Sequence, residues 1–170
     1  DTIAFEGGPV DSISGSLSES GSFDLRLAKP LPLRGRASGN VRAARPETRI
    51  AGLELDLAWL SSFLSGSFSF AHGTAYGIGD VILSGSLADP LWQGSLDARG
   101  VRMTYYMSPD VTSPFRADIT LRDRDLVLEP ARASVGAGEL SAYGVIGFSR
   151  WIPRSYDLQF QTGGSAGLHM

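Results

Sequence analysis

Apolar and polar residues alternate with a period of two along most of this 170-residue chain. That pattern puts the apolar side chains on one face of a β-strand and the polar ones on the other. Phe23, Leu25 and Leu27 alternate with Asp24 and Arg26. Leu33, Ala37, Val41 and Ala43 share one parity, against Arg34, Arg36, Asn40 and Arg42. Leu83 and Leu87 alternate with Ser84 and Ser86, and Trp92, Leu96 and Ala98 with Gln93, Ser95 and Asp97. Phe115, Ala117, Ile119 and Leu121 alternate with Arg116, Asp118 and Thr120. Ala131, Ala133 and Val135 follow the same rule, as do Tyr156, Leu158 and Phe160. The chain therefore reads as all-β.

Short turn signals separate these runs. They fall at Asp89-Pro90, Asp123–Asp125, Gly136–Gly138 and Arg150–Arg154. Gaps this short make sequential antiparallel neighbours the natural pairing. Gly100 shifts the apolar parity from Leu96 and Ala98 to Val101, Met103 and Tyr105, as a β-bulge would. Met107–Pro114 holds two prolines and reads as a loop. One segment has helical spacing instead: Leu57, Leu60, Phe63 and Leu64, with Asp56 as N-cap, predict a short helix over 56–64. Gly-Ser-apolar triplets recur without a fixed period, at Gly15, Gly21, Gly66, Gly85 and Gly94.

Roughly eleven strands at ~4.8 Å spacing make a sheet about 50 Å across. Its apolar face must meet a second sheet, close into a barrel or curl into a trough. Alternation alone does not choose among them.

Composition removes several function classes. The chain has no cysteine, so it holds no disulfide and no thiolate metal site. Its net charge of −3 argues against general nucleic-acid binding. No apolar run approaches the ~20 residues of a membrane-spanning helix. The chain opens at Asp1 without Met or leader, which reads as a mature or excised segment, and the tail from 163 to 170 reads as disordered.

Residues that could carry chemistry are few. His72 and His169 are the only histidines, and neither sits near a nucleophile–acid set. Asp123 and Asp125 flank Arg124 and read as a polar hairpin turn rather than an acid–base pair or a calcium site. Gly77-Ile78-Gly79 lacks the strand–turn–helix context of a phosphate loop. Arg34, Arg36 and Arg42 read as a solvated sheet face before a headgroup site. Trp59, Trp92, Trp151, Tyr105, Tyr106 and Tyr156 are core-facing aromatics by default. The chain is expected to be no enzyme and to hold no metal or cofactor.

From Gly85 onward a longer pattern emerges. It runs Gly85-x-Leu87-x-x-Pro90-x-Trp92-x-Gly94-x-Leu96, then Ile119-x-Leu121 and Leu126-x-Leu128. It continues as Gly136-x-Gly138-x-Leu140 and Gly144-x-Ile146-x-Phe148, ending in Tyr156-x-Leu158. This resembles the C-terminal domain of the TamB family, within the broader AsmA-like group. The segment 50–66 looks like the place where such proteins end one strand block and begin another.

The resemblance implies a long, curled, mostly antiparallel sheet, a β-taco or U-shaped trough with an apolar interior. It implies that residues 1–170 are one trough fragment of a larger protein, anchored in the inner membrane of a diderm bacterium and crossing the periplasm, the fragment itself being soluble. The cargo would be phospholipid or another acyl-chain lipid, moved between the inner and outer membranes. The groove would be lined by Phe23, Leu25, Leu27, Leu83, Leu87, Trp92, Leu96, Phe115, Ile119, Leu121, Leu126, Leu128, Leu140, Ile146, Phe148, Leu158 and Phe160. A charge placed inward, as in Leu121→Arg, would then impair lipid occupancy and leave the fold intact. The alternative is a module that assists outer-membrane protein assembly beside a TamA-type barrel by strand-edge pairing. Stacking end to end through open sheet edges is a further expectation.

Overall fold

The computed structural model describes residues 2–7, 13–28, 33–61, 68–86, 88–105, 108–136 and 138–163. Thirteen strands form one antiparallel sheet. In chain order they are β1 (Thr2–Gly7), β2 (Ile13–Ser18), β3 (Ser22–Leu27), β4 (Leu33–Asn40) and β5 (Glu47–Asp56). The helix α1 (Leu57–Leu60) follows, then β6 (Phe68–Gly77), β7 (Val81–Ser86) and β8 (Asp89–Tyr105). The last five are β9 (Ser108–Val111), β10 (Phe115–Asp123), β11 (Asp125–Val135), β12 (Gly138–Ser149) and β13 (Ile152–Gly163). This is the all-β curled sheet with one short helix that the sequence led us to expect.

The sheet is an up-and-down meander of eleven positions, two of which hold two collinear strands. β6 pairs with the Glu54–Asp56 end of β5, and β7 with its Glu47–Ile50 end. The same two strands share the other side of long β8. β9 and β10 likewise share the far side of β8. The count of about eleven strands therefore matches the positions and misses the two splits. Met107–Pro114 is not a loop throughout, because Ser108–Val111 pairs with the end of β8. Thr112 anchors the break that follows: its N–H donates to the Met103 carbonyl, and its Oγ1 accepts from the Met103 N–H, both at 3.0 Å. β4 stops at Asn40, so Val41 and Ala43 lie in a turn and not on the strand. Asp89 and Pro90 begin β8 rather than separating strands. Proline is tolerated there because β10 ends opposite Trp92 and needs no donor from Pro90.

Three bulges keep the core residues on either side of them on one face. Each inserts an extra residue and leaves two consecutive exposed residues: Ala51-Gly52 in β5, Arg99-Gly100 in β8 and Glu129-Pro130 in β11. Ile50 and Leu53, Ala98 and Val101, and Leu128 and Ala131 thus share a face despite their odd spacing. Bulges also bend the strands that carry them. The result is a core with no second sheet: Ile50, Leu53, Ala75, Leu96, Val101 and Ile119 are buried on one face of a single layer. Ala75, on β6, is 0% exposed. A flat single sheet would leave that face wet, so the burial is produced by the sheet curling over itself.

The helix is shorter than the spacing predicts. Asp56 caps it, accepting from the Ala58 N–H at 3.0 Å, and α1 covers Leu57–Leu60. Residues 62–64 of the expected helix lie outside the described residues. Ser61 ties its end to β6, donating to the Phe70 carbonyl at 3.0 Å and accepting from the Phe70 N–H at 2.6 Å. Leu57 seals the sheet there over Gly73. Of the segment 50–66, residues 50–56 belong to β5 and Leu57–Leu60 to α1, and residues 62–66 lie outside the described residues.

Gly144, on β12, lies directly against the Asp157 and Leu158 backbone of β13. Its φ is 146°, and a Cβ there would strike the Asp157 carbonyl oxygen. Gly144→Ala is expected to destabilise the fold by about 1–3 kcal/mol in urea titration.

Candidate functional site

The apolar face is sealed in the middle of the sheet and open near its C-terminal edge. Among the expected groove residues, Leu96, Ile119 and Leu121 are buried. Phe23, Leu25, Leu83, Trp92, Phe115, Leu126 and Leu128 pack half-buried around them. Leu27, Leu140, Ile146, Phe148 and Leu158 are also half-buried. On β13 the cover runs out: Phe160 is 48% exposed and Tyr156 45%. Leu17, on the N-terminal side of the sheet, is exposed on the same face. Leu87 and the 164–170 tail lie outside the described residues.

The backbone register shows that these residues form one surface. Leu126 is opposite Ile146, which is opposite Tyr156; Leu128, Gly144 and Leu158 form the next row; Ala131, Ala142 and Phe160 the next. The open apolar surface is therefore a direct extension of the sealed core. Leu121 belongs to the sealed part, at 4% exposure. The expectation that Leu121→Arg spares the fold fails for that reason, since an unpaired charge there would be buried.

One rim of the sheet is drawn inward. β8 and β12 lie three steps apart, or about 14 Å in a flat sheet. Yet the Arg150 N–H donates to Asp89 Oδ1 at 2.9 Å. Arg124 also donates to Asp89, at 3.0 Å, and the Phe148 N–H donates to the Arg124 carbonyl at 2.8 Å. Asp89 thus joins the β10–β11 turn to the β12–β13 turn. Trp92 adds an aromatic contact across the same gap, with ring centroids 5.3 Å from Phe148 and 5.4 Å from Trp151. The β12–β13 turn needs this support. Arg150 and Trp151 have φ of 51° and 69°, a left-handed conformation that two-residue hairpins normally assign to Asn or Gly.

The outer face is polar and internally neutralised. Arg34 pairs with Glu54 at 2.6 Å, and Arg36 pairs with both carboxylate oxygens of Asp24. Arg42 donates to the Glu19 carbonyl. Asp97 is buried between Arg99 and Arg116, each donating at 2.6 Å, and Arg99 lies over the Tyr76 ring. Burial pushes the Asp97 carboxyl up, but hydrogen bonds from the two arginines pull it down further, and the net direction is below the usual range. Asp89 is also lowered, first by the Arg150 N–H and then by Arg124. Asp24 is lowered by its hydrogen bonds from Arg36.

His72 is exposed on β6, and Asp123 and Asp125 are exposed at their hairpin. Among the described residues no group of three His, Asp or Glu could hold a metal ion. A hollow of about 600 Å³ lies at the opposite rim from Asp89, lined by Ser113, Phe115, Arg132, Ala133, Ser134 and Glu139 among others. Sequence reading missed Tyr156 and Leu17 as surface residues and Ala75 as core, whereas Ala98, Ala117 and Ala131, which the alternation put on the apolar face, are buried as expected. The alanines share the parity of the groove residues, and that parity was the available signal.

Among the described residues no helix is long and apolar enough to cross a membrane. No family model, curated protein or solved structure matches the chain.

Because the folded pKa of Asp89 is lowered, its clamp contributes fully above the unfolded value of ~3.9 and is lost as pH falls through the folded value. Protection of the Arg150 amide, measured as its exchange rate relative to the intrinsic rate at the same pH, is expected to fall in Asp89→Ala at neutral pH, and in the wild type only under acid conditions. NMR-detected exchange checks both.

Proposed function

We propose that this chain is a section of an apolar β-groove that carries lipid acyl chains. The observation that supports this most is the open apolar surface of β12 and β13, continuous with a sealed core of the same face. Leu140, Ile146 and Leu158 are half-buried there, and Tyr156 and Phe160 exposed. From Leu140 to Ile146 the strand offers about 20 Å of length, against ~15 Å for half a bilayer's hydrocarbon core. Each CH₂ fully removed from water is worth about 0.8 kcal/mol, and partial cover gives less per group. Such contacts are non-directional, so a chain could slide along the surface without crossing a specific site.

The resemblance to the TamB C-terminal domain gives this reading its setting. The larger protein would be anchored in the inner membrane and cross the periplasm of a diderm bacterium, moving phospholipid toward the outer membrane. No catalytic step is required. A second reading, assistance to outer-membrane protein assembly beside a TamA-type barrel, is favoured by a different observation. Among the described residues β13 pairs with β12 alone, leaving a 12-residue strand at the edge. Strand-edge pairing uses such an edge.

Native mass spectrometry on chain purified without detergent tests the groove. The wild type is expected to carry phospholipid or fatty acid. Ile146→Arg, on the inner face, should reduce that occupancy about tenfold or more, whereas Val145→Arg, one residue away on the outer face, should retain it. A wild type free of lipid in its folded state would overturn the reading.

A further inference from the structure

Along the β13 edge the pattern of aromatic, polar and aliphatic residues reads the same in both directions about Leu158. From Ser155 to Gln161 the strand is Ser-Tyr-Asp-Leu-Gln-Phe-Gln, with aromatic, polar, Leu, polar and aromatic residues spaced evenly about Leu158. We infer that β13 pairs with β13 of a second copy of this chain, antiparallel, with Leu158 opposite Leu158 of that copy. This inference is independent of lipid carriage, since it rests on the strand edge and not on the groove's contents.

The register follows from the residues. With Leu158 on the two-fold axis, Tyr156 faces Phe160 of the second copy, Asp157 faces Gln159, and Ser155 faces Gln161. Aromatic pairs directly opposite one another stabilise a sheet. A shift of two residues one way puts Asp157 opposite Asp157, and like charges directly opposite destabilise. A shift the other way moves Tyr156 onto Thr162 and loses the aromatic pairs. The centred register is therefore the best available.

Pro153 and the bulge beside it protect the start of β13, but the edge beyond them lacks the usual protections. Between Ser155 and Gly163 there is no lysine, no proline and no inward-pointing charge, which are the devices that keep edge strands from pairing. The opposite edge, β1, has 6 residues to the 12 of β13, so like-with-like pairing at β13 forms the longer ladder. A two-fold axis perpendicular to the sheet keeps both apolar faces on the same side. The dimer would join two open surfaces into one and cover part of Tyr156 and Phe160.

The natural absence of cysteine makes the test direct. Residues directly opposite in an antiparallel pair have Cα atoms ~4.5–5.5 Å apart, within reach of a disulfide. Leu158→Cys is expected to give a covalent dimer under mild oxidation. Tyr156→Cys and Phe160→Cys should each form no disulfide-linked dimer alone, because their own copies lie four residues out of register, and should cross-link when mixed. Gln159 lies on the exposed outer face, where its Oε1 accepts from the Tyr143 hydroxyl at 2.6 Å, and Gln159→Asp keeps a carboxylate acceptor on that side. It sets two carboxylates opposite Asp157 residues and should weaken dimerisation about tenfold in analytical ultracentrifugation, while Gln159→Lys should strengthen it. A wild type that remains monomeric at all concentrations overturns the inference, even if it captures a foreign β-strand peptide. Equal cross-linking of all three cysteine variants overturns it too, as a sign of unspecific association.

Discussion

A single sheet with one apolar face has no second layer to cover it, and that constraint shapes the rest of this molecule. Burial of ~25 cal/mol per Å² favours hiding the face, and only curvature can hide it. The bulges at Ala51-Gly52, Arg99-Gly100 and Glu129-Pro130 serve that end twice. They bend long strands, and they restore parity so that the bent strands still point Leu and Val inward. Small side chains fill the tightest part of that face: Ala75, Ala98, Ala117 and Ala131 are all buried in its core.

The polar features follow from the same curvature. Drawing the β12–β13 turn onto β8 brings Arg150 and Arg124 to one carboxylate, Asp89. It also sets Trp92 between Phe148 and Trp151. The outer face places its charges in pairs, so Asp97 can be buried without being left alone. Curvature runs out toward the last two strands, and there the apolar face stays open. The sealed core and the open surface are one face at two degrees of closure.

Much of this was legible in the alternation. Period two gave the strands, their faces and the all-β class, and Gly100 marked one bulge by its parity shift. The bulge at Gly52 was equally visible, since Ile50 and Leu53 break parity across it. Other features are not local. That β6 and β7 share one lane depends on β5 and β8 being long enough to pair with both. That Leu121 is sealed while Phe160 is open depends on where curvature ends, because both residues alternate identically. Arg150 and Trp151 look like poor turn residues until Asp89, 61 positions earlier, is seen to hold them.

The central claim is that the inner face is open at β13 and suited to an acyl chain. Hydroxyl-radical footprinting with and without a saturated fatty acid, at fixed protein concentration, measures this residue by residue. Labelling of Tyr156 and Phe160 should fall when the fatty acid is added, while Tyr76 and Ile78, exposed away from the groove, should be unchanged. Unchanged labelling at Tyr156 and Phe160 in the presence of fatty acid would contradict the account.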